Sequence, residues 1–151
     1  MEREFLEHCR DNNLEGVNDC LKDFYKTLCK GLMFAFGRGN SAIVSRLVQV
    51  PGLDINYQDE DGDTAAHRAS ERGQTECVRI LADTGKVDWN KTEFEGETPL
   101  HCAIVNEYSE IVDIIIRCPH VDLSCRDKKG WSPVFRAIQT KKIGEQNNNY
   151  M

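Results

Sequence analysis

The chain has 151 residues, 40% of them hydrophobic and 29% charged; that suits one domain or one short array of small units and excludes a second folded domain and wholesale disorder. Nineteen Lys and Arg against 25 Asp and Glu leave a net charge of −6, so a phosphate backbone is repelled unless bases gather on one face, and nucleic acid is not an expected partner. No run approaches the ~18 consecutive apolar residues of a membrane span, and Met1-Glu2-Arg3-Glu4 carries no apolar leader; the expectation is a soluble intracellular protein, cytoplasmic or nuclear, without membrane insertion.

From the N-terminus, residues 1–24 are expected to form a capping helix pair. The step from Cys9 to Leu21 is the one that later separates Ala69 from Leu81 and Ala103 from Ile115. Polar Glu2, Arg3, Asp11 and Asn12 suit an end that faces solvent. Cys9 to Ala35 falls eight positions short of the period that governs the rest of the chain, so this pair is expected to lack a full finger loop.

Beyond the cap the chain repeats. Gly62, Gly96 and Gly130 are equally spaced, and the same step relates Thr64, Thr98 and Ser132; Asp54, Asp88 and Asp122; and Ala35, Ala69, Ala103 and Ala137. A fixed period of this size marks stacked supersecondary units, expected at residues 25–58, 59–92, 93–126 and 127–151. Thr64, Thr98 and Ser132 each offer a hydroxyl as a helix N-cap, and Pro99 and Pro133 then occupy the first helical position, where a missing N–H costs nothing. A second helix follows in each complete unit, with apolar residues at helical spacing: Ile43, Val44 and Leu47; Cys77, Val78, Ile80 and Leu81; Ile111, Val112, Ile114 and Ile115. One helix pair cannot bury so wide a stripe, whereas a stack of pairs buries it in one continuous core. In the last unit, Lys141 to Met151 is too short and too polar for an apolar second helix, so that unit is expected to be incomplete.

The segment Gly96-Glu-Thr-Pro-Leu-His-Cys-Ala103, with its variants Gly62-Asp-Thr-Ala-Ala-His-Arg-Ala69 and Gly130-Trp-Ser-Pro-Val-Phe-Arg-Ala137, resembles the signature of the ankyrin repeat. The family period is about 33, one less than the step seen here, and the extra residue falls in the loop before Asp54, Asp88 and Asp122, where insertions are tolerated. The resemblance implies an all-α solenoid of stacked antiparallel helix pairs with β-hairpin-like finger loops. It also implies protein–protein interaction without catalysis, and no cofactor or metal. Partners of this family usually bind the concave side, made of finger tips and first-helix edges. Carried over residue by residue, that rule selects Glu60, Asp61, Asp63, Glu71 and Arg72 in the second unit and Phe94, Glu95, Glu97, Val105 and Asn106 in the third. In the fourth it selects Lys128, Lys129, Trp131, Gln139 and Thr140; the first unit has no clear finger motif and receives none.

Charge divides along this surface: residues 59–92 carry −3, residues 93–126 carry −5 and residues 127–151 carry +3. The expected partner is a protein or peptide with a basic segment, steered by the acidic tips. The uncapped last unit points to self-association or to a longer natural chain. The alternative reading is the regulatory ankyrin portion of a larger channel, kinase or ubiquitin-ligase adaptor.

Catalytic candidates are few. His101 and Cys102 adjoin, but neighbouring helical residues point about 100° apart, and no third group converges on them to orient a base. By the resemblance, His67 and His101 are structural and hydrogen-bond between units. Cys118, His120 and Cys125 fit no standard zinc spacing. The seven cysteines show no disulfide or zinc pattern and are expected as reduced, mostly buried thiols. Trp89 is expected to pack between units, because its register is that of Ile55 and Leu123, whereas Tyr57, Phe94 and Trp131 fall on or beside exposed fingers.

Overall fold

The computed structural model describes residues 2–11 and 13–148, so Asn12 of the expected polar cap and residues 149–151 of the tail lie outside the described residues. Among the described residues all regular structure is α-helical: α1 (Glu2–Arg10), α2 (Leu14–Arg38), α3 (Ser41–Leu47), α4 (Ala65–Glu71), α5 (Thr75–Thr84), α6 (Pro99–Val105), α7 (Ser109–Ile116) and α8 (Pro133–Asn148). The threonines set the helix starts. Thr64 and Thr98 adopt extended backbone, and each hydroxyl accepts the N–H three residues on, from His67 and His101 respectively. Ser132 does the same for the N–H of Phe135 at 3.2 Å.

First and second helices of a unit are joined by a tight reversal through a left-handed residue: Gly39 (φ 72°), Gly73 (φ 71°) and Glu107 (φ 60°), spaced by the same repeat step. The next position in that register is Lys141, and there the chain does not reverse; α8 runs through it to Asn148. Among the described residues the last unit thus has one long helix in place of a pair.

The helices pack as two rows. α2, α4, α6 and α8 stack in sequence in one row, and α3, α5 and α7 in the other. Between them Leu32, Phe36, Val44, Val78, Leu81, Leu100, Ile111 and Ile115 are sealed from solvent, with Trp89 and Ile55 closing the loop side of the core. Burying a side chain of this size stabilises by roughly 1.5–3 kcal/mol, and the buried residues of successive units form one cluster. An ion pair between Arg79 and Glu110 ties α5 to α7 on the outer surface.

The N-terminal end departs from the sequence expectation. Residues 1–24 do contain α1 and the start of a second helix, but α2 is a single 25-residue helix that runs through residues 24 and 25, where a unit boundary was expected. The eight positions missing from the period are those a finger would occupy. With no finger between them, the second helix of the cap and the first helix of the next unit are one continuous rod.

Candidate functional site

The loops before α4, α6 and α8 are shaped by an acid at their start. Asp59 Oδ1 accepts the N–H groups of Asp61 and Asp63, both at 3.0 Å. Glu93 accepts those of Glu95 (2.9 Å) and Glu97 (2.7 Å), and Asp127 accepts those of Lys129 and Trp131, both at 2.9 Å. Each loop closes with the first residue's N–H donating to the carbonyl four residues on, as Asp59 does to Asp63 at 2.9 Å. Among the described residues these loops are turns, without strand structure.

An arginine nine residues after the acid locks the loop to its helix. Arg68 donates to Asp59 at 2.8 Å and lies 3.1 Å from Asp63; Arg136 donates to Asp127 at 2.9 Å. The third unit has Cys102 at that register, and Arg136 of the next unit reaches back to Glu97 at 2.5 Å instead. Burial raises the Asp59 and Asp127 carboxyls, but for Asp59 the Arg68 guanidinium and two N–H groups outweigh it, and for Asp127 the Trp131 N–H, Arg136 and the Lys129 N–H do so. Both settle below the ordinary carboxylate value. Asp63 goes the other way: burial, helped by the nearby charges of Asp59, Glu71 and Glu93 and only partly opposed by Arg68, lifts it to about 6.

Three sets of bonds join one unit to the next. Phe94 N–H donates to Asp61 O at 3.1 Å, and Lys128 N–H to Glu95 O at 2.8 Å, stitching finger to finger. Asn56 donates to Lys86 O and accepts from Asp88 N–H, and Asn90 repeats this with His120 O and Asp122 N–H. The histidines complete the set. Nδ1 of His67 accepts the Thr64 N–H at 3.1 Å, which places its proton on Nε2, and that group donates to Glu97 O at 3.0 Å. His101 repeats the arrangement with Thr98 N–H and Trp131 O. Burial holds His67 below the usual imidazole value, in keeping with a neutral ring.

Against this frame the expected surface residues divide in two. Glu60, Asp61, Glu71, Arg72, Phe94, Glu95, Val105, Asn106, Lys128 and Lys129 are exposed, and Phe94 is 62% exposed. Asp63, Glu97 and Trp131 are partly buried and engaged: the two acids with arginines, the indole with Lys129 and Arg136 at 5.3 and 4.9 Å from its ring and with Phe135 at 5.4 Å. Gln139 and Thr140 are half-buried, and the Thr140 hydroxyl donates to Arg136 O. Trp89 is buried between units, as its register indicates.

The chemical candidates are accounted for by the same frame. Both ring nitrogens of His101 are occupied, and burial pushes the adjacent Cys102 thiol far above its ordinary value, so neither the base nor the thiolate of a nucleophilic pair is present there. All seven cysteines are free thiols; Cys29, Cys77 and Cys102 are buried, Cys20, Cys118 and Cys125 partly so, and Cys9 is exposed. Among the described residues Cys118, His120 and Cys125 do not gather; the grouping that does is Asp59, Asp61 and Asp63, whose charge Arg68 already answers.

Sequence reasoning passed over the first unit's share of this surface. Phe34 stands one repeat step before Arg68, and Arg38 the same distance before Arg72. Both are exposed on the row of first helices, Phe34 to 73%. The period itself was the signal, hidden because the finger that usually accompanies these positions is absent.

A family model described as ankyrin repeats in three copies matches residues 32–127, more than half of the chain. Proteins called Cortactin-binding protein 2 from Ovis aries and Mus musculus are each 45% identical to it over 49 residues, a stretch that makes up 32% of this chain and 3% of theirs. The match therefore spans only about 3% of the length of those relatives.

Proposed function

The chain belongs to the ankyrin repeat family, and from that premise we propose that it is a non-catalytic module that binds a protein or peptide along its finger tips and first helices, the concave side of the stack. Ankyrin repeats are in general protein-interaction modules. The observation that carries the reading is how the tips are built. The finger backbones are held from within by Asp59, Glu93 and Asp127, while Glu60, Glu95 and Lys128 project outward and, among the described residues, enter no ion pair. Side chains that the fold does not use are free for a partner, and exposed Phe94 among them is a natural anchor.

The acidic tips of the second and third units suit a partner with a basic segment, steered in by charge and retained by Phe94 and by the Trp131 indole. The occupied histidines and the protonated Cys102 support the non-catalytic part of the reading. Self-association is the second interaction we propose, through the exposed Val134, Phe135 and Ile138 of α8.

A regulatory portion of a larger chain is the alternative, favoured by the small share that the matching segment occupies in its long relatives. Photo-crosslinking residues introduced at Phe94 or Lys128, compared with Glu76 on the second-helix row, test the binding face. Adducts to one partner at the first two positions, with Phe94→Ala weakening that partner by ~2 kcal/mol or more, are expected. Adducts confined to Glu76 would overturn the assignment.

A further inference from the structure

At the N-terminal end of the first-helix row, α2 and α4 flank an open cavity of about 380 Å³. Its apolar wall is Met33, almost buried, and Phe34, 73% exposed. So exposed an aromatic ring follows from the missing finger. In the second and fourth units the same register holds an arginine that answers the finger's acid; the first unit has no finger and no such acid, and its ring faces the opening.

Around Phe34 stand Lys30 and Arg38 from α2 and Arg72, the residue that ends α4. The Arg72 side chain passes over Gly37, 3.9 Å from where a Cβ there would lie, which is ordinary contact distance and brings the guanidinium beside α2. Among the described residues none of these three cations has a carboxylate within 4.0 Å. The acid and base at the cavity's inner edge, Asp59 and Arg68, are spent on each other at 2.8 Å. Residues 25–58 carry Lys26, Lys30, Arg38 and Arg46 against Asp54 alone, a charge of +3, beside second and third units at −3 and −5.

We propose that this cavity receives an acidic segment of a partner protein, in which a large apolar side chain that packs on Phe34 is flanked by Asp or Glu carboxylates that pair with Lys30, Arg38 and Arg72. Three unpartnered cations around one exposed ring call for negative charge and apolar surface together, and a short peptide supplies both. The proposal rests on the protein-binding reading above and adds a direction to it. Basic at the first unit and acidic at the second and third, the surface orients a bound segment with its acidic end over α2 and its basic end over the fingers of Glu60 and Glu95.

The test uses the full chain, labelled with ¹⁵N, and three short peptides that share a central Trp and differ only in whether the flanking positions are Glu, Gln or Lys. The Glu peptide is expected to shift the backbone amides of Gly31, Phe34, Gly37 and Arg72. Lys30→Glu combined with Arg38→Glu should weaken it by on the order of tenfold, with a similar loss on raising salt. Phe34→Ala should weaken the Glu peptide while leaving the melting curve unchanged, since the ring is exposed; Arg72→Glu provides a second variant on another helix should either of these melt early. Equal binding of the Glu and Gln peptides, Glu-peptide shifts confined to the loops of Phe94 and Lys128, or no shifts with any peptide would each overturn the proposal. The broader reading is scored separately: Lys-peptide shifts at Phe94 that vanish in Glu95→Lys support it whatever happens at Phe34.

Discussion

The third unit and the last open on the same motif, with its Gly, Pro and Ala kept at Gly96, Pro99 and Ala103 and at Gly130, Pro133 and Ala137, and end in different surroundings. Leu100 is 2% exposed, and Val134, its counterpart one repeat on, is 57% exposed. His101 reaches forward to the Trp131 carbonyl, while Phe135 at the same register carries no donor for such a bond and is 39% exposed. A Cβ on Gly96 would lie 3.0 Å from the backbone nitrogen of Lys128, whereas one on Gly130 would meet nothing within 4 Å among the described residues. A residue in such a stack is buried by its neighbour, so equivalent positions carry different energy in different units.

The sharpest way to break that comparison is a pair of truncations. Leu100→Ala removes a sealed side chain and is expected to cost ~2–5 kcal/mol, while Val134→Ala on the open face should cost less than about 0.5 kcal/mol. Denaturant unfolding of the two variants measures both; equal losses would mean that α8 is covered in solution, which is also what self-association predicts at high protein concentration.

A smaller contrast separates the glycines. Gly96 and Gly130 both hold left-handed backbone, at φ 76° and 78°, and a side chain there costs about 1–2 kcal/mol by itself. Gly130→Ala should show that cost alone. Gly96→Ala also forces the next finger away, adding about 1–3 kcal/mol of overpacking, so the difference between the two melting curves reads the closeness of adjacent fingers.

A further contrast is one of pH and lies within the fingers. Asp63 titrates near 6 in the folded chain against 3.8 ordinarily, chiefly through burial. A raised folded value means that the protonated form contributes stability below about pH 4, and that this contribution is lost as pH rises through about 6. Wild type should therefore lose stability relative to Asp63→Asn across that window and run parallel to it above. Urea midpoints of the two proteins at a series of pH values check this, and parallel curves throughout would remove Asp63 from the account.

Much of this was legible beforehand because repeat positions are read against one another. Thr64, Thr98 and Ser132 mark helix starts by the local chemistry of a hydroxyl and the orphan N–H groups of a first turn, and the structure starts α4, α6 and α8 one residue later. The apolar stripes of α5 and α7 needed only helical spacing. Trp89 was recognisable as core by register with Ile55, yet the same register failed for Leu123, which is 48% exposed; the unit after it supplies, among the described residues, α8 alone and no second helix. The locking role of Arg68 and Arg136 escaped notice because each pairs with an acid nine residues back across a turn, a separation that no helical or strand periodicity highlights.

What the amino-acid order determined by itself is the set of local decisions: where helices begin, which of their faces are apolar, where Gly39 and Gly73 permit a left-handed reversal, and that the whole recurs at one fixed step. These depend on backbone sterics and on groups a few residues apart. Tertiary structure decided which of the equivalent residues are buried, that Arg136 serves two units while Cys102 serves none, and that Phe34 lies open among cations. Those outcomes depend on what stands beside each unit, and burial, ion pairing and cavity shape are properties of neighbours in space that a single unit's sequence does not contain.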